Sequence, residues 1–129
     1  LAAQAMGADL AYMGTRFIAT TEANASDDYK NGITQASASD VIYTNLFTGV
    51  HGNYLRESIV KAGLDPDHLP EADKCKINCG SRGNSAAKAW KDSWGVGQGV
   101  AVIDEVLPTA ELVNQLEAEY RAARARLAL

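Results

Sequence analysis

The sequence predicts an α/β fold built around a buried parallel strand. An Ala-rich helix over residues 1–6 precedes Gly7, which has the position of a residue that ends a helix in the left-handed conformation. The run that follows, 8–13, is apolar on both faces, as strands inside parallel sheets are. A helix, a glycine turn and a buried strand make half of a β/α unit, so a parallel sheet is expected.

Length and charge exclude several classes of protein. The 129 residues fit one domain and are about half of the roughly 250 that a complete (β/α)8 barrel needs. Hydrophobic residues make up 47% and charged residues 22%, which is typical of a chain that packs a core. No apolar run approaches the roughly 20 residues that span a bilayer, and the net charge of -4 lacks the basic excess of nucleic-acid-binding proteins. We therefore expect neither a membrane nor a nucleic acid as partner.

The chain opens on Leu1 with helical residues and no N-cap before them. Its first residues also lack the basic and apolar regions of a secretory signal. We interpret the sequence as a piece cut from a longer polypeptide. A natural start on a frayed helix is the alternative.

Three short elements are predicted after the first strand. Ser and Asp side chains cap a helix over about 28–36, because their oxygens accept the N–H groups of a first turn. The β-branched and aromatic residues at 40–47 favour a strand or an extended segment. A second short helix over 56–62 ends at Gly63.

The second half of the chain alternates irregular and helical segments. Residues 64–84 contain two of the three prolines and both cysteines, which is typical of an irregular excursion. A helix over 85–94 and a Gly-rich loop over 95–99 follow. An amphipathic helix over about 109–127 closes the chain, with apolar residues at three- and four-residue spacing and arginines in its last turns.

Gly14 and Thr15 form the first candidate ligand site. They follow the carboxyl end of the predicted buried strand, where α/β folds bind ligands. A glycine lets the backbone approach a ligand closely, and consecutive N–H groups followed by a hydroxyl can hold a phosphate. An ordinary strand-to-loop turn is the alternative.

The Gly-rich loop over 95–99 is the second candidate site. It does not fit the dinucleotide fingerprint, because Val100 stands where the third glycine is needed and a helix is predicted before it. A loop that approaches a flat ligand, with Gln98 as its hydrogen-bonding group, and a plain flexible loop both stay open.

The cysteines and histidines form no recognisable reactive pair. Cys75 and Cys79 lack the further ligands that zinc needs, so we expect no metal, and free thiols in the reducing cytoplasm. His51 is open as an acid, a base, a substrate contact or a surface residue. His68 lies between two prolines and is expected in a turn.

Three passages of the sequence resemble the nitronate monooxygenase (2-nitropropane dioxygenase) family. They are Ala5-Met6-Gly7-Ala8-Asp9 with Met13-Gly14-Thr15-Arg16-Phe17, Trp94-Gly95-Val96-Gly97-Gln98-Gly99 with Ile103-Asp104, and the closing helix from Ala110. These enzymes are FMN-dependent (β/α)8 barrels. The resemblance implies that residues 1–129 are the C-terminal portion of an FMN-binding TIM barrel domain: strand 8, the phosphate loop, an irregular insertion over about 22–94 and a closing helix over about 109–127.

The resemblance also implies a cofactor site. The positions that match those meeting the FMN phosphate, chiefly through backbone N–H groups, are Tyr12, Met13, Gly14 and Thr15, and those beside the flavin ring are Gly97 and Gln98. The family's catalytic histidine belongs to a barrel segment upstream of Leu1. Neither His51 nor His68 matches it, so no catalytic residue is assigned in this chain.

The implied reaction is oxidation of an alkyl nitronate with O2 to a carbonyl compound and nitrite. The implied partners are a nitronate or nitroalkane, O2 and the N-terminal part of the barrel, while a homodimer is left open. FMN-dependent enoyl-acyl carrier protein reductases share the Gly-Thr-Arg-Phe and Gly-Gln features and are the first alternative. A non-catalytic fragment or subunit that binds a phosphate-bearing ligand is the second.

Overall fold

A computed structural model of the chain describes residues 1–71 and 93–127. Its helices and strands, in chain order, are α1 Ala2–Ala5, α2 Thr15–Ile18, α3 Asp27–Gln35, β1 Val41–Thr44, β2 Gly52–Leu55, α4 Arg56–Lys61 and α5 Thr109–Arg126. Two 3-10 helices lie at Ala38–Asp40 and Gln98–Val102. No helix in these two ranges is both long and apolar enough to cross a membrane.

The sheet of the described part is an antiparallel hairpin. Val41 of β1 lies opposite Leu55 of β2, and Thr44 lies opposite Gly52. The sequence predicted the first of these strands, but not the second. The segment around Gly95 extends the hairpin on the β2 side, where the Leu55 N–H donates to the Trp94 carbonyl at 2.8 Å.

The structure corrects the predicted buried strand over residues 8–13. This segment has no regular secondary structure and is exposed, with Leu10 and Tyr12 at 90% and 100% exposure. A parallel strand needs neighbouring strands for its N–H and C=O groups. Within 1–71 and 93–127 nothing pairs with it, and the parallel pairing found is one bridge between Thr20 and Leu107. The predicted parallel sheet is therefore wrong for the described part of the chain.

The local signals at helix ends are confirmed. Gly7 has a φ of +96° after α1, and the Ala8 N–H donates back to the Ala3 carbonyl at 3.0 Å, as in a Schellman motif. Ser26 Oγ accepts the Tyr29 N–H at 3.3 Å and caps α3. Gly63, at a φ of +79°, ends α4. The closing helix predicted over about 109–127 is α5.

The core joins α3, the hairpin and the segment that follows Trp94. Its buried side chains are Ala19, Ile33, Leu55, Val96, Val100 and Ile103. Because Ala19 and Val100 belong to this one cluster, the segments around residues 14–20 and 95–103 are packed together. The Leu107 N–H adds a bond to the Ala19 carbonyl at 3.3 Å.

Several predictions fall on the part of the chain that lies outside the described residues. They are most of the excursion over 64–84, with Cys75 and Cys79, and most of the helix over 85–94.

Candidate functional site

The two segments predicted to bind a ligand meet through one hydrogen bond. The backbone N–H of Gly97 donates to Thr15 Oγ1 at 2.7 Å, across 82 positions of sequence. Thr15 begins α2, and Gly97 directly precedes the 3-10 helix Gln98–Val102. The fold therefore joins two loops that the sequence could only describe separately.

The close approach of the position 97 backbone to Thr15 explains why this residue is a glycine. Its backbone is extended, with φ -84° and ψ 159°, so any residue could adopt its conformation. A Cβ added there would lie 3.3 Å from Thr15 Oγ1, which is tighter than ordinary contact. The small residue lets the Gly97 backbone reach the Thr15 hydroxyl.

Gly14 differs, because nothing in the described chain fills the space beside it. A Cβ added at Gly14 would meet no atom within 4 Å, and its φ of -108° does not demand glycine. The chain's own packing and backbone therefore do not require a glycine at this position. It leaves open room next to Thr15, which a ligand could occupy.

The Arg16 side chain links α2 by hydrogen bonds to Glu105 and to α5. Its Nη1 donates to the Glu105 carbonyl at 3.1 Å, and its Nη2 donates to Gln115 Oε1 on α5 at 3.3 Å. On the same short helix, the Phe17 carbonyl accepts the Thr20 hydroxyl at 2.8 Å. The segment that carries Gly14 and Thr15 is thus held by contacts that do not use Thr15 itself.

A cleft of about 450 Å³ opens beside this junction, within the size range of small-molecule sites. It is lined by Tyr12, Met13, Thr15, Arg16, Gly97, Gly99, Val102, Ile103, Asp104, Gln115, Leu116 and Glu119. Four of the six predicted cofactor positions line the cleft. The other two, Gly14 and Gln98, are sequence neighbours of lining residues. The lining holds two carboxylates, of Asp104 and Glu119, and one guanidinium. An anion here would therefore need backbone N–H groups more than cationic side chains.

Neither histidine lies in this cleft. His51 is exposed on the hairpin loop and stacks on Tyr43, with ring centroids 4.8 Å apart. His68 occupies a turn, as predicted, and its Nδ1 lies 2.7 Å from Asp65 Oδ2, which raises the pKa of His68. Within residues 1–71 and 93–127, no three His, Cys, Asp or Glu side chains form a group that could hold a metal ion.

Sequence reasoning missed a second, polar-aromatic cleft of about 810 Å³ between α3 and α4. Tyr29 and Trp94 stack there with centroids 5.2 Å apart, and the Tyr29 hydroxyl donates to the Gly95 carbonyl. Lys61 Nζ lies 4.9 Å from the Trp94 ring centroid and pairs with Glu57 at 2.8 Å. Trp94 is the one signal that could have drawn attention to it, but its partners come from distant segments.

Comparison with known sequences identifies relatives over most of the chain. A profile of the family described as nitronate monooxygenase matches residues 1–119. A nitronate monooxygenase of Paraburkholderia phytofirmans is 34% identical over 126 residues, which cover 93% of this chain and 34% of that protein. A probable nitronate monooxygenase of Staphylococcus saprophyticus is 33% identical over 72 residues, covering 55% of this chain and 20% of that protein. The chain thus spans about a third, or less, of the curated relatives it matches.

Two solved structures share the fold. FabK from Thermotoga maritima, a TIM-barrel enzyme, superposes with a TM-score of 0.67 at 23% identity, over 98% of this chain and 42% of that one. A point mutant of the same protein gives a TM-score of 0.65 at 24% identity, over 98% and 39%. At this identity the likeness shows the fold alone.

Proposed function

This chain belongs to the nitronate monooxygenase family, a family of enzymes, and from that premise we propose that it supplies the FMN phosphate loop of an oxidoreductase. The proposed reaction oxidises an alkyl nitronate with O2 to a carbonyl compound and nitrite. The observation that carries the proposal is the hydrogen bond between Gly97 and Thr15. It joins the two loops whose sequence resembles the FMN-binding loops of the family.

The residues present fit an FMN phosphate. In the proposal Tyr12, Met13, Gly14 and Thr15 hold the phosphate, chiefly through backbone N–H groups, and Gly97 and Gln98 lie beside the flavin ring. The open space at Gly14 supports this, because a ligand can approach the backbone there without meeting a side chain. Bound FMN would supply electron transfer between the nitronate and O2. This chain's own part is to bind and orient the flavin.

We also propose that residues 1–129 are the C-terminal portion of a TIM barrel. The insertion would cover about 22–94 and the closing helix about 109–127. Two observations support this reading: the fold likeness to a barrel enzyme and the exposed, unpaired segment over 8–13. As strand 8, that segment would gain its neighbours from the N-terminal part of the barrel, the proposed partner of this chain. The family also favours a cytoplasmic location.

The test joins this chain to the barrel segments of a relative. The 129 residues replace the matching third of the Paraburkholderia enzyme, and the hybrid is loaded with FMN and given a nitronate under air. We expect nitrite to be released. The unmodified relative is the positive control, and the 129-residue chain alone shows what the partner segments add.

Two results would contradict the proposal. If the hybrid binds FMN but forms no nitrite, and instead oxidises a reduced nicotinamide in the presence of an enoyl thioester, the reductase alternative holds. If it binds FMN and shows neither activity, this chain is a binding segment without a role in turnover.

A further inference from the structure

Thr15 has a hydrogen-bonding role that a phosphate contact does not explain. Its Oγ1 accepts the Gly97 N–H at 2.7 Å. A hydroxyl has one donor hydrogen and two acceptor lone pairs, so this bond leaves the Thr15 O–H available as a donor. The side chain can therefore serve the opposite loop and a ligand together.

The Gly97 peptide is held on both sides. Its carbonyl accepts the Val100 N–H at 3.1 Å, and Val100 is fully buried in the core. Just before it, the buried Val96 donates its N–H to the Asn53 carbonyl at 3.0 Å. Between these anchors, Gly97 itself is exposed, and its N–H bond to Thr15 is its link to the α2 segment.

We propose that Thr15 is a positioning residue, which sets the distance between the loop of residues 12–15 and the loop of Gly97 and Gln98. This inference rests on the proposed function for the identity of the ligand, a flavin that contacts both loops. If the Thr15 hydroxyl served the phosphate alone, its loss would affect phosphorylated flavin alone. If Thr15 positions Gly97 and Gln98, its loss also affects a flavin that has no phosphate.

The first experiment compares FMN with riboflavin, using quenching of flavin fluorescence by the 129-residue chain. Thr15→Val keeps the shape of the side chain but removes the acceptor, and Thr15→Ser retains it. We expect Thr15→Val to weaken riboflavin by about fivefold, since one hydrogen bond is worth about 1 kcal/mol, and to weaken FMN by at least as much. Thr15→Ser should restore both to within about twofold. The matched control is Thr34→Val on α3, whose hydroxyl bonds within its own helix.

A weakening of FMN alone, with riboflavin unchanged, would overturn the proposal and make Thr15 a phosphate ligand only. Unchanged affinity for both flavins would overturn it as well. A second variant reaches the same contact from the other side, because a Cβ in Gly97→Ala would lie 3.3 Å from Thr15 Oγ1. The double variant of Thr15→Val and Gly97→Ala should cost little more than either change alone, as expected when two substitutions remove one interaction.

A readout without flavin separates this inference from the proposed function. Hydrogen exchange of the Gly97 N–H in the 129-residue chain should accelerate in Thr15→Val and stay near wild type in Thr15→Ser. If the wild-type chain binds neither flavin while Gly97 exchange still responds in this way, the contact stands and FMN binding by this chain is contradicted. If Gly97 exchange is the same in all three proteins, the positioning role is wrong even where FMN binds.

Discussion

Glu22 caps the N-terminus of α5 from 87 positions away in the sequence. The Thr109 N–H and hydroxyl each donate to Glu22 Oε2 at 2.9 Å. The residue at the N-cap itself is Pro108, which makes no side-chain cap. A carboxylate from the loop after α2 thus satisfies an N–H group that the helix leaves without a partner, and it lies where the helix dipole favours negative charge.

This contact predicts an acid-sensitive contribution to stability. The backbone N–H of Thr109, with its hydroxyl, lowers the pKa of Glu22 to about 2 from the usual 4.5. Because the folded-state pKa is the lower one, the stabilisation is fully present above about pH 5 and declines as the pH falls toward 2. Thermal midpoints of wild type and Glu22→Gln should therefore differ most near neutral pH and converge at the acid end.

The control for this titration is Glu105→Gln, since Arg16 bonds to the backbone carbonyl of Glu105, and among the described residues the Glu105 carboxylate makes no hydrogen bond or ion pair. Its thermal midpoint should follow wild type across the same pH range. A constant gap between wild type and Glu22→Gln down to pH 2 would show that the lost contribution does not depend on the Glu22 charge.

Gly14→Ala should separate folding from flavin binding. A Cβ at Gly14 meets nothing within 4 Å, so we expect the stability of the chain to change by less than about 0.5 kcal/mol. The added methyl group enters the space proposed for the phosphate, so FMN affinity should fall. Denaturant unfolding and fluorescence quenching measure the two effects.

Gly63→Ala is the matched control for Gly14→Ala. Gly63 ends α4 with a φ of +79°, and an alanine there should cost about 1 kcal/mol. It does not line the cleft, so flavin affinity should not change. Loss of stability in Gly14→Ala, or of flavin binding in Gly63→Ala, would argue against the assignment of the open space to a ligand.

Local signals predicted α1, α3, α4 and α5, because the atoms that decide them are close in sequence, but they did not predict the one-turn helix α2. Ser26 Oγ accepts the N–H of Tyr29, three residues later in α3. Gly63 lies two residues after Lys61, the last residue of α4. Strand β2 was missed because its four residues owe their conformation to pairing with β1 and with the Gly95 segment. The strand predicted over residues 8–13 was wrong for the opposite reason. An apolar run indicates that a strand needs neighbouring strands, but not that this part of the chain provides them.

The candidate site was predictable loop by loop, and not as an assembly. Glycines and a hydroxyl marked residues 14–15, and the Gly-Gln pattern marked residues 97–98. The bond between Thr15 and Gly97 links positions that no spacing rule connects, and so do the bonds of Arg16 to Glu105 and Gln115. Tertiary packing brings these residues together, so their partners became visible with the fold.

Arg16 and Gln115 should show energetic coupling. Arg16→Met removes both N–H donors of the guanidinium. Gln115→Ala removes the side-chain acceptor on α5 and leaves the Glu105 carbonyl in place. Each change should destabilise the chain by about 1 kcal/mol or less, since the bonds are exposed. A double-mutant cycle by urea unfolding should give a coupling of about 0.5 kcal/mol. Strictly additive losses would mean that the Arg16 to Gln115 bond contributes nothing, and that Arg16 acts through Glu105.

Gly32→Ala reverses the usual effect of replacing a helical glycine. An alanine in a helix interior is normally favoured over glycine by about 1 kcal/mol. Here a Cβ would lie 2.9 Å from Leu55 Cδ2 and 3.2 Å from the Trp94 ring, so either α3 or these packed side chains must shift. We expect net destabilisation, by about 1–3 kcal/mol as for other overpacked cores, and a shift in Trp94 emission. Gly99→Ala meets nothing within 4 Å and should not destabilise the chain. A gain in stability from Gly32→Ala would mean that α3 packs less tightly against Leu55 than these distances require.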